Sequence, residues 1–404
     1  MLEPLRHTGR MRARHLADNR GIAWIALCAC ALACSTPEAQ QHHAAPAAVA
    51  SSPAQRDALG HIADTAFAAT VARLSEPPGF FDTDNLISNE SSYLHVIPRL
   101  RALGVHGGAY VGVGPDQNYS YIAAIRPTIA YLVDVRRDNL VQHLMYKGLF
   151  ARASHRIEFL CLWLGRRLPP DVAAWDTRSI DAIVKYVDAA PRDDALARRT
   201  AGEIVAAAVA TGIPLSEDDR ATMRRFHAEF VRLGLGLRFT SFGRTPRSYY
   251  PTLRDLVLAQ DTAGQERSYL AREDDWRYVK RLHDANRIIP VVGNLAGPRA
   301  LPGIARDVRA SGATVSAFYT SNVEFYLWGG TDFATYARNV VALPRDAHSV
   351  IIRSYFGRQF GDAHPLAVPG FVSVQLLQPL DDFAARWGAD GWSSYRALVT
   401  LGAR

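Results

Sequence analysis

The stretch Gly108-Ala109-Tyr110-Val111-Gly112-Val113-Gly114-Pro115-Asp116-Gln117-Asn118-Tyr119, with Asp134 twenty residues beyond Gly114, restricts the fold of this chain more than any other feature. A glycine-rich turn placed directly after a strand lets the backbone approach a ligand closely. An acidic residue closing the next strand can hold two ribose hydroxyls. Ala109 to Val113 reads as a short β-branched strand, and a helix follows through Tyr121 to Ile125 until Pro127 stops it. Ile129 to Asp134 is a nearly unbroken apolar run, as expected of a strand covered on both faces. Strand, helix and strand in this order form a βαβ unit, and the turn within it is expected to hold a nucleoside-type cofactor.

Periodicity and punctuation place the remaining elements. Residues 56–75 show helical spacing at Ile62, Ala66, Val71 and Leu74, ended by Pro77-Pro78-Gly79. Residues 82–104 read as a helix leading to the first strand, capped by Ser88 or Asn89, with Glu90 to Ser92 as its polar first turn. From Arg137 to Asn286 nothing reads as a core strand. Helix-type periodicity recurs instead over 139–152, 180–187, 195–211 and 218–233, with a cap at Ser216. This predicts a large helical insertion at about 140–286 between the second and third strands, with 243–251 as a loop inside it. Four more strands follow at Ile288–Val292, Thr314–Tyr319, Ser349–Tyr355 and Phe371–Leu377, the last compatible with an antiparallel edge. The expected fold is therefore α/β: a mostly parallel twisted, Rossmann-like sheet with flanking helices and a helical insertion.

The N-terminus reads as a targeting segment. A basic region containing Arg6, Arg10, Arg12, Arg14 and Arg20 precedes an apolar run from Gly21 to Cys34, which suits a signal peptide and is too short for a mature membrane span. Leu32-Ala33-Cys34-Ser35 is similar to a bacterial lipoprotein processing site, with Cys30 as a competing position. Residues 1–34 are then the leader, 35–55 a Pro-, Gln- and Ala-rich tether, and 56–404 the α/β domain. The expected location is the periplasmic face of a membrane, anchored by lipid at Cys34; a cytoplasmic protein with a spurious upstream start is the alternative. Of the formal charge of +7, the first twenty residues carry +3, and no basic run with interleaved aromatics appears. Nucleic acid is accordingly not an expected partner. Cys161 stands alone in an apolar run and reads as a buried small hydrophobe, and no His/Cys/Asp spacing matches a zinc or iron site.

In open parallel sheets the ligand crevice lies beyond the carboxyl ends of the strands. Four polar clusters fall at such ends: Gly112 to Tyr119, Asp134 to Asn139, Gly293 to Gly297 and Thr320 to Glu324. Their order resembles the class I S-adenosylmethionine-dependent methyltransferase fold over about residues 85–380. The phrases Gly-Val-Gly-Pro-Asp-Gln-Asn-Tyr at 112–119 and Ala-Phe-Tyr-Thr-Ser-Asn-Val-Glu at 317–324 also resemble a group of bacterial proteins without an assigned activity. The methyltransferase resemblance implies S-adenosyl-L-methionine as cofactor. Gly112 and Gly114 would form its turn, with Asp116, Gln117 and Asn118 beside it. Asp134 would bind the ribose, Asn294 would lie near the adenine where Asp is more usual, and Ser321-Asn322 would face the transferred methyl.

A nicotinamide or flavin cofactor competes for the same glycines, but its G-x-G-x-x-G pattern needs a small third residue where Gln117 stands. In a methyl transfer to an acceptor of unknown identity, Asn322 would orient the acceptor, and Glu324 or Tyr319 would take or relay a proton. Ser321-Asn322 also reads as the cap of a helix starting near Val323, with Glu324 favoured by the helix dipole. Asp138-Asn139 reads as a cap for the helix carrying His143 and Lys147. Two classes of function stand side by side: a methyltransferase, and an exported lipid-anchored protein that keeps the fold as a non-catalytic binding module.

Overall fold

The computed structural model describes residues 59–357 and 364–402. The expected leader (1–34), the whole of the expected tether (35–55) and the expected lipid-anchor position Cys34 lie outside the described residues. Among the described residues, no helix is long and apolar enough to cross a membrane.

Helix α1 (Asp64–Leu74) and the short helix α2 (Ile97–Ala102) precede the βαβ unit of β1 (Ala109–Val113), α3 (Gln117–Ile125) and β2 (Ile129–Asp134). The chain then runs through α4 (Arg137–Arg152), α5 (Arg156–Leu164), α6 (Ile180–Ala189), α7 (Asp194–Ala210), α8 (Glu217–Leu233), α9 (Leu253–Val257) and α10 (Glu273–Asp284) before β3 (Ile288–Val292). The α/β alternation resumes with α11 (Ala300–Ala310), β4 (Val315–Ser321), α12 (Val323–Leu327), α13 (Thr331–Val341) and β5 (Val350–Tyr355). It closes with β6 (Val374–Pro379), α14 (Leu380–Gly388) and α15 (Tyr395–Thr400).

The sheet order is β3-β2-β1-β4-β5-β6; β6 runs antiparallel to β5 and the other pairings are parallel. Every residue of β1, β3 and β5 is buried, which explains the unbroken apolar sequences of β1 and β3, while β5 carries the buried Arg353 and Ser354 in its second half. From β1 the chain moves outward through β2 to β3, then returns to lay β4 on the other side of β1. The switch point therefore falls between β1 and β4, where the loops leaving the two strands diverge and open a crevice.

Helix α4 packs on β2 and β3, and α10 packs on α3 and α4. Their interface is aromatic. Tyr119 meets Tyr146, Phe150 and His283 edge-on at 5.2 to 5.7 Å, and Phe150 stacks on Trp276 and His283. Helix α8 starts at the expected cap: the Asp219 N–H donates to Ser216 Oγ at 3.1 Å, and the Ser216 N–H donates to Asp219 Oδ2 at 2.9 Å. The Cys161 thiol is buried, and that burial pushes its pKa up to about 12.

The segment before β1 differs from the expected helix over 82–104. Only Ile97–Ala102 is helical. Residues 76–93 instead form a strap across the carboxyl ends of the strands, because their polar groups are bonded largely to distant strand ends, helices and loops rather than in a helical ladder. Glu76 N–H donates to Val292 O and Gly79 N–H to Val135 O, both at 2.8 Å. Gln142 Nε2 donates to Leu86 O at 2.7 Å, Tyr121 OH to Tyr93 O at 2.6 Å, and Ser92 Oγ to Ser373 O at 2.8 Å. The Glu90 N–H donates to Ser88 Oγ at 3.1 Å, a local turn in place of a helix cap.

Helices α4 and α7 cross where Gly148 leaves no room for a side chain: a Cβ there would lie 2.9 Å from Ile204 Cα and 3.2 Å from Ile204 O. Gly148→Ala should therefore destabilise the protein by about 1 to 3 kcal/mol through overpacking, despite alanine's higher helix propensity. Urea unfolding checks this; unchanged or increased stability would mean the crossing is looser than described.

Candidate functional site

The turn after β1 is held by one amide. Gly112 lacks a Cβ where Asn118 and Tyr110 come in: an added Cβ would stand 2.0 Å from Asn118 Oδ1 and 2.8 Å from Tyr110 Oη. The Asn118 side chain sits beneath the turn, with Nδ2 donating to Val113 O (2.8 Å), Gly114 O (3.2 Å) and Pro115 O (2.7 Å), while Tyr110 OH donates to its Oδ1 at 2.8 Å. Gly114 adopts φ +81°, a left-handed conformation that glycine takes without strain. His143 braces the same turn. Its Nε2 lies 3.0 Å from Gly114 O, and because a carbonyl only accepts, that nitrogen carries the hydrogen and Nδ1 accepts from Tyr119 OH at 2.8 Å. Burial pushes the imidazole down to about 4, partly opposed by the Gly114 carbonyl, so it is neutral at physiological pH.

This turn borders a cavity of about 620 Å³, within the size range of small-molecule sites. Its walls bring together four strand ends: Gly114 and Gln117 after β1, Asp134 at the end of β2, Gly293 and Asn294 after β3, and Ser321 and Asn322 at β4. The strap contributes Asn85, Ser88 and Glu90, and the 239–250 loop contributes Phe239, Arg244 and Tyr250. Strap and loop are joined where Phe242 N–H donates to Asp82 O at 2.8 Å and Arg244 pairs with Asp82.

The expected residues divide clearly. Gly114, Gln117, Asp134, Asn294 and Asn322 line the cavity. Gly112 and Asn118 support the turn from beneath instead of facing a ligand. Asp116 points into the aromatic interior, where Tyr269 OH donates to its Oδ2 at 3.3 Å. Tyr319 is fully buried, with its hydroxyl 2.7 Å from Glu90 Oε2. Glu324 is withdrawn from the cavity: Arg353 donates to both of its oxygens at 2.7 and 3.0 Å, Tyr336 OH adds a third bond at 2.8 Å, and both charged side chains are 1% exposed.

Two expected caps do not form. Ser321 donates to Glu90 instead of capping α12, and it does so from φ +53° at an irregularity in the β4–β5 pairing. The residue at the start of α4 is Arg136, with no side-chain cap from Asp138 or Asn139.

Asp134 is less free than a sequence reading suggests. Oδ1 accepts from the Arg136 N–H at 2.9 Å and Nε at 3.1 Å, and Oδ2 accepts from Nη2 at 2.9 Å. A carboxylate has about four acceptor positions, so one remains on Oδ2 for a ligand hydroxyl. Arg136 also donates to Thr83 O at 3.1 Å and Asp84 O at 2.6 Å, which joins this carboxylate to the strap. Asn294 Oδ1 accepts from the Ala296 N–H at 2.9 Å, leaving the amide nitrogen as the end that can donate to a ligand. Gln117 Nε2 donates to Tyr319 Oη at 3.3 Å, while the buried Gln117 Oε1 has no partner.

A carboxylate already fills the helix start beyond β3. Glu76 accepts from the N–H groups of Asn294 (3.1 Å), Arg299 (2.9 Å) and Ala300 (2.9 Å), filling the donor cluster that leads into α11. A phosphate there would meet negative charge where pyrophosphate-binding folds present free N–H groups. Asp116 immediately precedes α3 but makes no side-chain cap bond, its carboxyl being turned toward Tyr269 in the interior.

Outside the crevice, His155, Asp176 and Glu273 bring ligand-type atoms within 4.8 Å of one another, a grouping that sequence spacing did not show. Arg277 pairs with both carboxylates and Arg156 with Glu273, so the charge is already balanced by arginines.

Residues 86–169 and 181–400 match the family described as Domain of unknown function (DUF7790), and the chain belongs to it. No curated protein matches the chain.

Two outcomes follow from these placements. Glu324→Ala strands Arg353 in the interior and should destabilise the fold by about 3 to 5 kcal/mol in chemical denaturation; a loss near zero would show that the pair is dispensable. Burial raises Asp116 to about 7, partly opposed by the Tyr269 hydrogen bond, so its folded state holds a proton more tightly than its unfolded state. Its contribution is fully present below about pH 4 and is lost as pH rises through about 7. Asp116→Asn should thus gain stability relative to wild type between pH 5 and 8, by at most a few kcal/mol, and level off above. Parallel pH–stability curves would contradict that burial effect.

Proposed function

We propose that this protein binds S-adenosyl-L-methionine in the crevice at the β1/β4 switch point and transfers a methyl group to an acceptor, as an enzyme with a methyltransferase-like fold. The observation that carries this reading is the convergence of four separate strand-end clusters, at Gly114, Asp134, Gly293-Asn294 and Ser321-Asn322, on a single cavity. On it, the seven helices between β2 and β3 are an insertion that lends the cavity its 239–250 wall.

The residues present fit such a group. Asp134 keeps one acceptor position for a ribose hydroxyl, the Asn294 amide nitrogen can donate to the adenine, and the orphaned Gln117 Oε1 can accept a donor from the ligand. Glu76, which fills the N–H groups leading into α11, favours a nucleoside without a pyrophosphate over a dinucleotide, and Gln117 folds across the position where a dinucleotide turn needs a small residue. When bound, the cofactor supplies an electrophilic methyl on a sulfonium. The chain's own contribution is alignment: Asn322 orients the acceptor, and the strap and 239–250 loop wall the site from water.

The second reading, an exported lipid-anchored binding module without catalysis, draws support from Tyr319 and Glu324. Both are fully buried and bonded to other side chains. Calorimetric titration of residues 56–404 with S-adenosyl-L-methionine tests the shared premise, and no binding at millimolar ligand would sink the methyltransferase reading. If it binds, Asp134→Asn should weaken affinity by about 1.5 to 3 kcal/mol, the range for a hydrogen bond to a charged group. Unchanged affinity would remove Asp134 from the ribose site.

A further inference from the structure

Glu90 is the acidic side chain of the crevice that no lysine or arginine among the described residues pairs with. The cavity's other carboxylates are matched: Asp82 faces Arg244 and Asp134 faces Arg136. Glu90 is 1% exposed, yet it forms part of the cavity wall. Directed hydrogen bonds end on it from two sides. Gln117 Nε2 donates to Tyr319 Oη at 3.3 Å, and the Tyr319 hydrogen goes to Glu90 Oε2 at 2.7 Å. Ser354 Oγ donates to Gln375 Oε1 at 2.9 Å, which turns Gln375 Nε2 toward Glu90 Oε2 at 2.9 Å. The Ser321 hydroxyl, aimed by its left-handed backbone, donates to Oε1.

Three donors converge on a group that only accepts when ionised, and every hydrogen bond it makes among the described residues is one in which it accepts. The network is thus built for an anion. A buried anion without a cation is costly, and hydrogen bonds from neutral groups offset only part of that cost. The open side of Glu90 is the cavity, at the end of β4, whose wall also includes the rings of Phe81, Phe239, Tyr250 and Tyr326, surfaces that accept a desolvated cation.

We propose that Glu90 is the counter-charge for an onium centre bound at the carboxyl end of β4, and that this centre is the methylsulfonium of the cofactor. The proposal rests on the S-adenosyl-L-methionine reading given above. In it Glu90 favours the charged cofactor over the neutral thioether product, so that loss of the methyl also loosens the product. Tyr319 and Gln375 are positioning residues that hold the carboxylate in place.

Three nucleosides of nearly equal shape test this by calorimetry: S-adenosylmethionine with its sulfonium, sinefungin with an ammonium at the same place, and neutral S-adenosylhomocysteine. Wild-type protein should bind both cations more tightly than the thioether. Glu90→Gln should lose about tenfold or more in affinity for the cations and less than about twofold for the thioether. Retained thioether binding also shows that the variant is folded. Ser321→Ala, which removes a donor and leaves the charge, should keep the preference for the cations. Equal losses for all three ligands, or none, would overturn the counter-charge role. So would a wild-type protein that binds the thioether most tightly, a result that needs no variant at all. Failure of wild type to bind any of the three would instead bring down the cofactor reading, and this inference with it.

Discussion

The absent side chain at Gly112 is the constraint on which the site depends. It leaves space for Asn118, whose amide gathers three carbonyls of the turn that follows β1. Glycine motifs are commonly read as openings for a ligand's approach. Here one glycine makes room for the protein's own scaffold, and only Gly114, two residues on, meets the cavity. With the turn fixed and braced by His143, α3 starts at a set angle and β1 and β4 diverge at a set place. The ligand crevice inherits its geometry from that internal clamp.

The strap adds a second layer of dependence. Arg136 holds Asp134 with one part of its guanidinium and two strap carbonyls with another, so the carboxylate best placed for a ribose also ties down the roof over it. Asp82 and Arg244 make a similar connection between the strap and the 239–250 loop. Pocket and cover are therefore parts of one hydrogen-bonded structure.

What the sequence revealed and what it hid follow the range of the interactions involved. Strands β1 to β5, helices α4, α6, α7 and α8 between β2 and β3, and the Ser216 cap are written in local periodicity and in partners three or four residues apart, and they form close to where they were expected, whereas α5, α9 and α10 were not singled out. The strap was read as a helix because its residues suit one. Its backbone is instead claimed by Val135, Val292 and other distant groups that no local pattern names. Ser321 was read as a cap for the same reason; its actual partner, Glu90, lies 231 positions away. Glu324 looked reactive in isolation and is quenched by Arg353 on a neighbouring strand. Glu90 stood out in sequence only by its place before the first strand, where related folds close over a cofactor and where an amphipathic helix explains it equally; its three donors are what distinguish the two.

The order in which the chain presents these parts also matters. The strap is made early, but its supports come later: Arg136 after β2, the 239–250 loop well beyond, and Ser373, which binds Ser92 across 281 positions, almost at the end. Contacts of such long sequence separation are costly in loop-closure entropy and form late in folding. A chain emerging from the ribosome can assemble β1, α3 and β2 with the clamp at Asn118 while its crevice is still uncovered. The binding site would be the last region to mature, complete only when the antiparallel edge strand has been delivered.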